Sequence, residues 1–172
     1  MHQKDSQGFT GSAIPVSVVM QREEYQDHVW SYPRWQVLGV VAGQEVAPSD
    51  LKRTLVRCDD TYQEYLWSGF TVELFKDSAE SYYYNLVGNN PSLFVICREE
   101  EDGGLAPFLV TANQDEAGAH MEADDAVFSV TMPAEVYKWL ERYVVEHYVP
   151  QQRKKRKRKD WHSDSDDHDV RR

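Results

Sequence analysis

A chain of 172 residues, 41% of them apolar and 12% aromatic, can build one domain with a real core and hardly two. Its formal net charge of −10 argues against a folded body that holds polyanions. No apolar run approaches the roughly 20 residues that a membrane helix needs, and the polar start, Met1 to Ser12, lacks the apolar centre of a signal peptide.

The charge is uneven. Residues 151–172 hold nine of the 19 Lys and Arg and five of the 29 Asp and Glu, so this tail is +4 and the rest is −14. Residues 1–12 and 151–172, polar and without periodicity, are expected to be disordered, leaving a single domain at 13–150. Cys58 and Cys97 are far apart and outside any C-x-x-C pair, and both are expected to be buried and reduced.

Ile14, Val16, Val18 and Met20 alternate with other residues and predict a first strand with one apolar face. Arg22 to Tyr32 is charged and aromatic without a period, and Pro33 opposes a helix, so the segment reads as a loop. Trp35–Val41 is the second strand, closed by Ala42 and Gly43. Pro48, Ser49 and Asp50 mark a turn into a third strand, Leu51–Cys58. Asp59-Asp60 and Ser68-Gly69 are expected to reverse the chain on either side of Tyr62–Trp67, giving an antiparallel β meander.

From Phe70 the pattern changes. Phe70, Val72 and Leu74 form a strand face, and Asp77 with Glu80 has the spacing of a reciprocal helix cap. Ala79, Tyr82, Tyr83 and Leu86 line one helix face, which turns Tyr84 outward. Gly88 is placed to end the helix in the left-handed conformation, and Pro91 prevents a restart. Leu93–Cys97 is apolar throughout and reads as a strand covered on both faces. Glu99, Glu100, Glu101 and Asp102 form a solvated turn, with Gly103-Gly104, into Pro107–Ala112. Asn113 with Glu116 caps a short helix whose face is Ala117, His120 and Met121. Val127–Val130 is a strand. After Pro133, the residues Val136, Trp139, Leu140, Tyr143, Val144 and His147 form one stripe of a C-terminal amphipathic helix. The class is α+β: an N-terminal antiparallel meander, a β-α-β-β-α-β half in the split ferredoxin-like order, and the C-terminal helix.

No phosphate loop, dinucleotide fingerprint, H-E-x-x-H or G-x-S-x-G string occurs, and no catalytic residue, cofactor or metal ligand is assigned. His162, Asp164, Asp166, Asp167, His168 and Asp169 would have to order themselves around a metal, so no specific site is expected there. The candidate protein-binding residues are His28, Trp30, Tyr32 and Tyr84, because exposed aromatics supply contact area at low entropic cost. Trp35 is read as a cap on the core. The candidate polyanion-binding residues are the uninterrupted run Arg153, Lys154, Lys155, Arg156, Lys157, Arg158 and Lys159.

Several strings carry a resemblance: IPVSVVMQR (Ile14 to Arg22), RWQVLGV (Arg34 to Val40), Phe70 through Tyr84-Asn85-Leu86 to PSLFV (Pro91 to Val95), and PFLVTANQDEA (Pro107 to Ala117). The chain resembles a small bacterial family of unknown function encoded beside molybdenum-dependent formate dehydrogenases. Some relatives carry the label of molybdopterin-guanine dinucleotide biosynthesis. The Gly-rich basic loop such a nucleotidyltransferase needs has no counterpart in Ile14–Arg22. The resemblance implies a cytoplasmic, non-catalytic accessory protein that binds a formate dehydrogenase subunit or a maturation factor. The alternatives are a molybdenum-cofactor or nucleotide-binding enzyme or carrier, and nucleic-acid binding through the basic tail.

Overall fold

The computed structural model describes residues 9–27, 29–43 and 51–150. The alternation at Ile14 sets the first strand, β1 (Ala13–Asp27), and its inward residues Ile14, Val16, Val18 and Met20 are almost wholly buried. β1 pairs antiparallel with β2 (Trp30–Ala42) on one side and β4 (Tyr62–Glu73) on the other; β3 (Lys52–Cys58) completes the sheet in the order β2-β1-β4-β3. The segment read as a loop, Arg22 to Tyr32, is instead the end of β1 and the start of β2, paired from Arg22↔Trp35 to Asp27↔Trp30. Periodicity missed it because this ribbon buries neither face strongly. Pro33 is accommodated because β2 is an edge strand.

Ser68-Gly69 does not reverse the chain. β4 runs straight through, and Val16 pairs with Phe70 while Val18 pairs with Trp67, so Ser17 faces two residues. Gly69 has φ +99, the conformation a bulge of this kind asks of glycine. The extra residue switches strand parity: Trp67 faces inward before it, and Phe70, Val72 and Leu74 after it. A second bulge, at Leu38, lets Val37 pack on the core before it and Val40 lie buried after it, leaving Leu38 exposed. The edge strand β3 is exposed along its whole length. Its arginines lie over neighbouring rings, Arg53 at 5.5 Å from Tyr65 and Arg57 at 5.3 Å from Tyr62, and charged residues on an edge discourage further pairing.

After β4, a 3-10 turn (Lys76–Ser78) precedes α1 (Ala79–Val87). Asp77 therefore lies inside the turn and caps nothing; Ser78 holds the cap position without a side-chain bond. Gly88 ends α1 at φ −67, not in the left-handed region. Space is the reason for glycine there: a Cβ would sit 3.3 Å from the carbonyls of Tyr84 and Asn85. β5 (Ser92–Glu99), β6 (Leu105–Thr111) and β7 (Ala126–Thr131) form a second antiparallel sheet in the order β6-β5-β7. The order β-α-β-β-α-β is present, but its first strand, β4, belongs to the other sheet, so the single four-stranded sheet of a ferredoxin-like half does not form. The class is α+β as expected.

α2 (Gln114–Glu122) is capped by Asn113, whose Oδ1 accepts from the amides of Asp115 and Glu116 at 3.0 and 3.3 Å. The Asn113 amide goes to Thr111 Oγ1, not to Glu116. Met121, expected on the packed face, is exposed. α3 (Ala134–His147) buries Val136, Trp139, Leu140, Tyr143 and Val144, as its stripe predicts. One core joins the two sheets, α1 and α3. Residues 9–12, expected to be disordered, are bonded to that body: Leu74 N donates to Ser12 O at 2.7 Å and Trp139 Nε1 to Gly11 O at 2.8 Å. Among the described residues no helix is long and apolar enough to cross a membrane.

Asn85, 1% exposed, joins α1 to the second sheet. Its Nδ2 donates to the carbonyls of Ser92 and Ala112 at 2.8 Å each, and its Oδ1 accepts from Ser92 N at 3.0 Å. Each unpaired buried group costs about 1–3 kcal/mol, so Asn85→Ala is expected to lower unfolding free energy in urea by at least about 3 kcal/mol.

The thiols differ, contrary to expectation: Cys97 is buried but Cys58, on the exposed edge strand, is not. Burial pushes the Cys97 thiol up to about 12. An aromatic disulfide reagent at neutral pH should titrate one thiol in the native protein and both in denaturant, and Cys58→Ser should remove the native signal.

Candidate functional site

β4 pairs with β1 only as far as Glu23↔Tyr62. Beyond that point the β1–β2 hairpin continues alone, with Tyr25 opposite Tyr32 and Asp27 opposite Trp30. Directly opposed residues in an antiparallel pair share a face, as do residues two apart. Tyr25, Tyr32 and Trp30 therefore stand on one face of the ribbon, the face opposite to Met20, Arg22 and Trp35. Tyr25 and Tyr32 are in contact, with ring centroids 5.4 Å apart. Val29 and Trp30 are 83% and 78% exposed, and Tyr25 and Tyr32 about half. Glu24 accepts from Ser31 Oγ at 3.0 Å and pairs with Arg22, so polar bonds on the other face brace the ribbon. The neighbouring β3–β4 turn adds Asp59 and Asp60, both exposed, close to Glu23. The result is an aromatic strip with Glu23 opposite Arg34 at its base and the turn carboxylates Asp59 and Asp60 to one side, suited to packing against apolar or cationic side chains.

Trp30 and Tyr32 are thus brought together by pairing, and Tyr25, not singled out by the sequence, joins them. Its signal was its distance from Tyr32, symmetrical about the tip. Trp35 points to the other face, half-buried against the core and Tyr65, with centroids 6.1 Å apart. Tyr84 is about half exposed, as helix geometry requires, but lies on α1, which follows the opposite end of β4. The structure does not join it to the hairpin. Tyr84 instead borders a concavity with Asp77, Glu80 and Asp115. His28 and the run Arg153 to Lys159 lie outside the described residues, as do the acidic and histidine residues of the tail. Among the described residues no three His, Cys, Asp or Glu side chains gather as metal ligands.

Sequence reasoning missed one polar cluster. His120 Nδ1 donates to Asp125 Oδ2 at 2.7 Å and Arg98 Nε to Asp125 Oδ1 at 3.2 Å. Arg98 lies 3.8 Å from the centre of the Phe108 ring, whose edge meets His120. His147 is stacked on Tyr143 at 4.1 Å and donates from Nδ1 to the Tyr143 carbonyl at 2.9 Å.

The fold and surface define an α+β protein of two antiparallel sheets with a projecting aromatic hairpin. The chain belongs to the family described as "Protein of unknown function (DUF3305)", whose model matches residues 15–158. No curated protein and no solved structure matches it.

The bonds from His120 and then Arg98 hold the Asp125 carboxyl below the usual carboxylate range. A carboxyl lowered by folding stabilises the native state above its unfolded value of about 3.9, and that contribution is lost as pH falls through the lowered folded value. Asp125→Asn should therefore be less stable than the parent at neutral pH, and the two should converge in acid. Urea unfolding at a series of pH values measures this.

Proposed function

We propose that this protein is a non-catalytic interaction protein that docks a protein partner on the aromatic face of its β1–β2 hairpin. The observation that carries the reading is Trp30, a tryptophan 78% exposed beside Val29, Tyr25 and Tyr32 on a braced ribbon. Tryptophan and tyrosine dominate binding energy at interfaces, and large apolar side chains grouped on a projection mark contact sites. Pairing holds the strip in place, so little order is lost on binding. The exposed Asp59 and Asp60 to one side of the strip favour a basic residue in a partner segment that is otherwise apolar.

The partner proposed is a subunit of a molybdenum-dependent formate dehydrogenase or a factor in its maturation, in the cytoplasm. That choice rests on the strings Ile14 to Arg22, Arg34 to Val40, Phe70 through Leu86 to Val95, and Pro107 to Ala117, and on the resemblance they carry. The first of them builds the buried half of β1 and runs directly into the hairpin.

Affinity capture with the full chain in a host that makes such a dehydrogenase should enrich one of its components. Trp30→Ala with Tyr32→Ala should cut affinity by roughly 30-fold or more, the equivalent of about 2 kcal/mol for a central aromatic anchor. The far-UV spectrum should be unchanged, since both residues lie outside the core. Capture without any dehydrogenase component, or capture indifferent to the double substitution, would defeat the proposal.

A further inference from the structure

At the end of β1 remote from the hairpin lies a cavity of about 470 Å³. Three segments distant in sequence close it. Residues 9–12 form one wall, held by the bonds from Trp139 to Gly11 and from Leu74 to Ser12. The residues after β4 form the second, and the last turns of α3 the third, with Tyr143 Oη donating to Leu74 O at 3.4 Å. The volume falls in the range of sites that hold small organic molecules.

Its charge runs against that of the body. Lys76 and Arg142 both border the cavity. Among the described residues neither forms an ion pair, since those that form involve Arg22, Arg53, Arg98 and His120. Arg142 gives one N–H to the carbonyl of Phe9, at 3.1 Å, and among the described residues its side chain makes no other hydrogen bond. His147 adds a ring nitrogen, because its Nδ1 is engaged with the Tyr143 carbonyl and Nε2 is not. Glu146 is the one carboxylate on the wall. On the wall itself Lys76 and Arg142 outnumber Glu146, although Asp77 behind it also acts on Tyr143, so the lining is locally cationic in a body whose first 150 residues carry −14.

The wall is also aromatic. Phe75 is 55% exposed at the rim although it is large and apolar, half-buried Phe9 lies beside it, and the buried ring of Trp139 backs the wall. Cationic donors beside an uncovered ring call for a ligand with both characters. We propose that this cavity binds a small organic anion, a planar ring bearing a carboxylate or a phosphate ester, with its charged group on Lys76 and Arg142 and its ring against Phe75. A guanidinium beside an ammonium suits either oxyanion. The inference is independent of the hairpin reading.

Calorimetry on the full chain with 1-naphthoate, 1-naphthyl phosphate, neutral 1-naphthalenemethanol and inorganic phosphate tests it. At least one naphthyl anion should bind ten-fold or more tightly than the alcohol and than phosphate alone, and the tighter of the two anions identifies the charged group. Lys76→Gln, at an exposed position outside the core, should weaken that binding by about ten-fold, as should Phe75→Ser. An unchanged near-UV spectrum and midpoint in urea would show that the fold is intact. Equal binding of the alcohol and the anions, binding unaffected by Lys76→Gln, or no heat with either anion at millimolar concentration would overturn the proposal.

Discussion

The packing of the second half depends on one buried amide. Asn85 reaches from α1 to the start of β5 and the end of β6 at once, and its three bonds complete backbone groups that neither sheet nor helix can satisfy. A helix laid across the ends of two strands leaves such groups unpaired unless a side chain answers them. Asn carries a donor pair and an acceptor on one short stem, so it can serve both strands from one position. With α1 pinned there, Tyr82 and Leu86 meet the core, and Tyr83 stacks on Tyr148 at 4.6 Å just past α3. The two helices are thereby set against the same layer.

In the first sheet, two bulges do the comparable work. A strand that kept strict alternation from Tyr62 to Leu74 would have to turn either Tyr65 and Trp67 or Phe70 and Val72 toward water. One inserted residue at Ser68-Gly69 removes the conflict, and the left-handed glycine makes the insertion feasible. The bulge at Leu38 does the same for Val37 and Val40 on β2. With parity corrected, the core face of the sheet ends near Trp35 and Tyr65, and the hairpin beyond is free to present its aromatic residues on the other side.

What the sequence made legible follows from this. Ile14 to Met20 and the stripe of α3 were readable because burial of one face writes a period into the chain, and Leu93 to Cys97 because burial of both faces leaves an unbroken apolar run. The break at Ser68-Gly69 was visible too, but a change of parity looks alike whether the strand bulges or turns. Arg22 to Tyr32 was unreadable as strand because a ribbon wet on both faces has no apolar period; only the cross-strand pairing of Tyr25 with Tyr32 marks it. Asn85 was invisible for the opposite reason: a polar residue on a helix face reads as solvent-facing, and its partners at Ser92 and Ala112 are backbone groups that carry no side-chain signature. The cavity could not be read at all, since Phe9, Lys76 and Arg142 meet only after three segments have been placed.

The two candidate surfaces lie at opposite ends of one strand, and that arrangement bears on how they could act together. β1 runs from the cavity wall at Ser12 to the hairpin at Asp27, a span of roughly 45 Å at the usual rise. Both of its inner flanks are hydrogen-bonded to neighbouring strands for most of that length, and its core residues are fully packed. A strand so held is a rigid spacer between the two surfaces, and coupling carried through it would need an element with two discrete arrangements. A partner that reached both ends would span about 45 Å and lie along the first sheet between them.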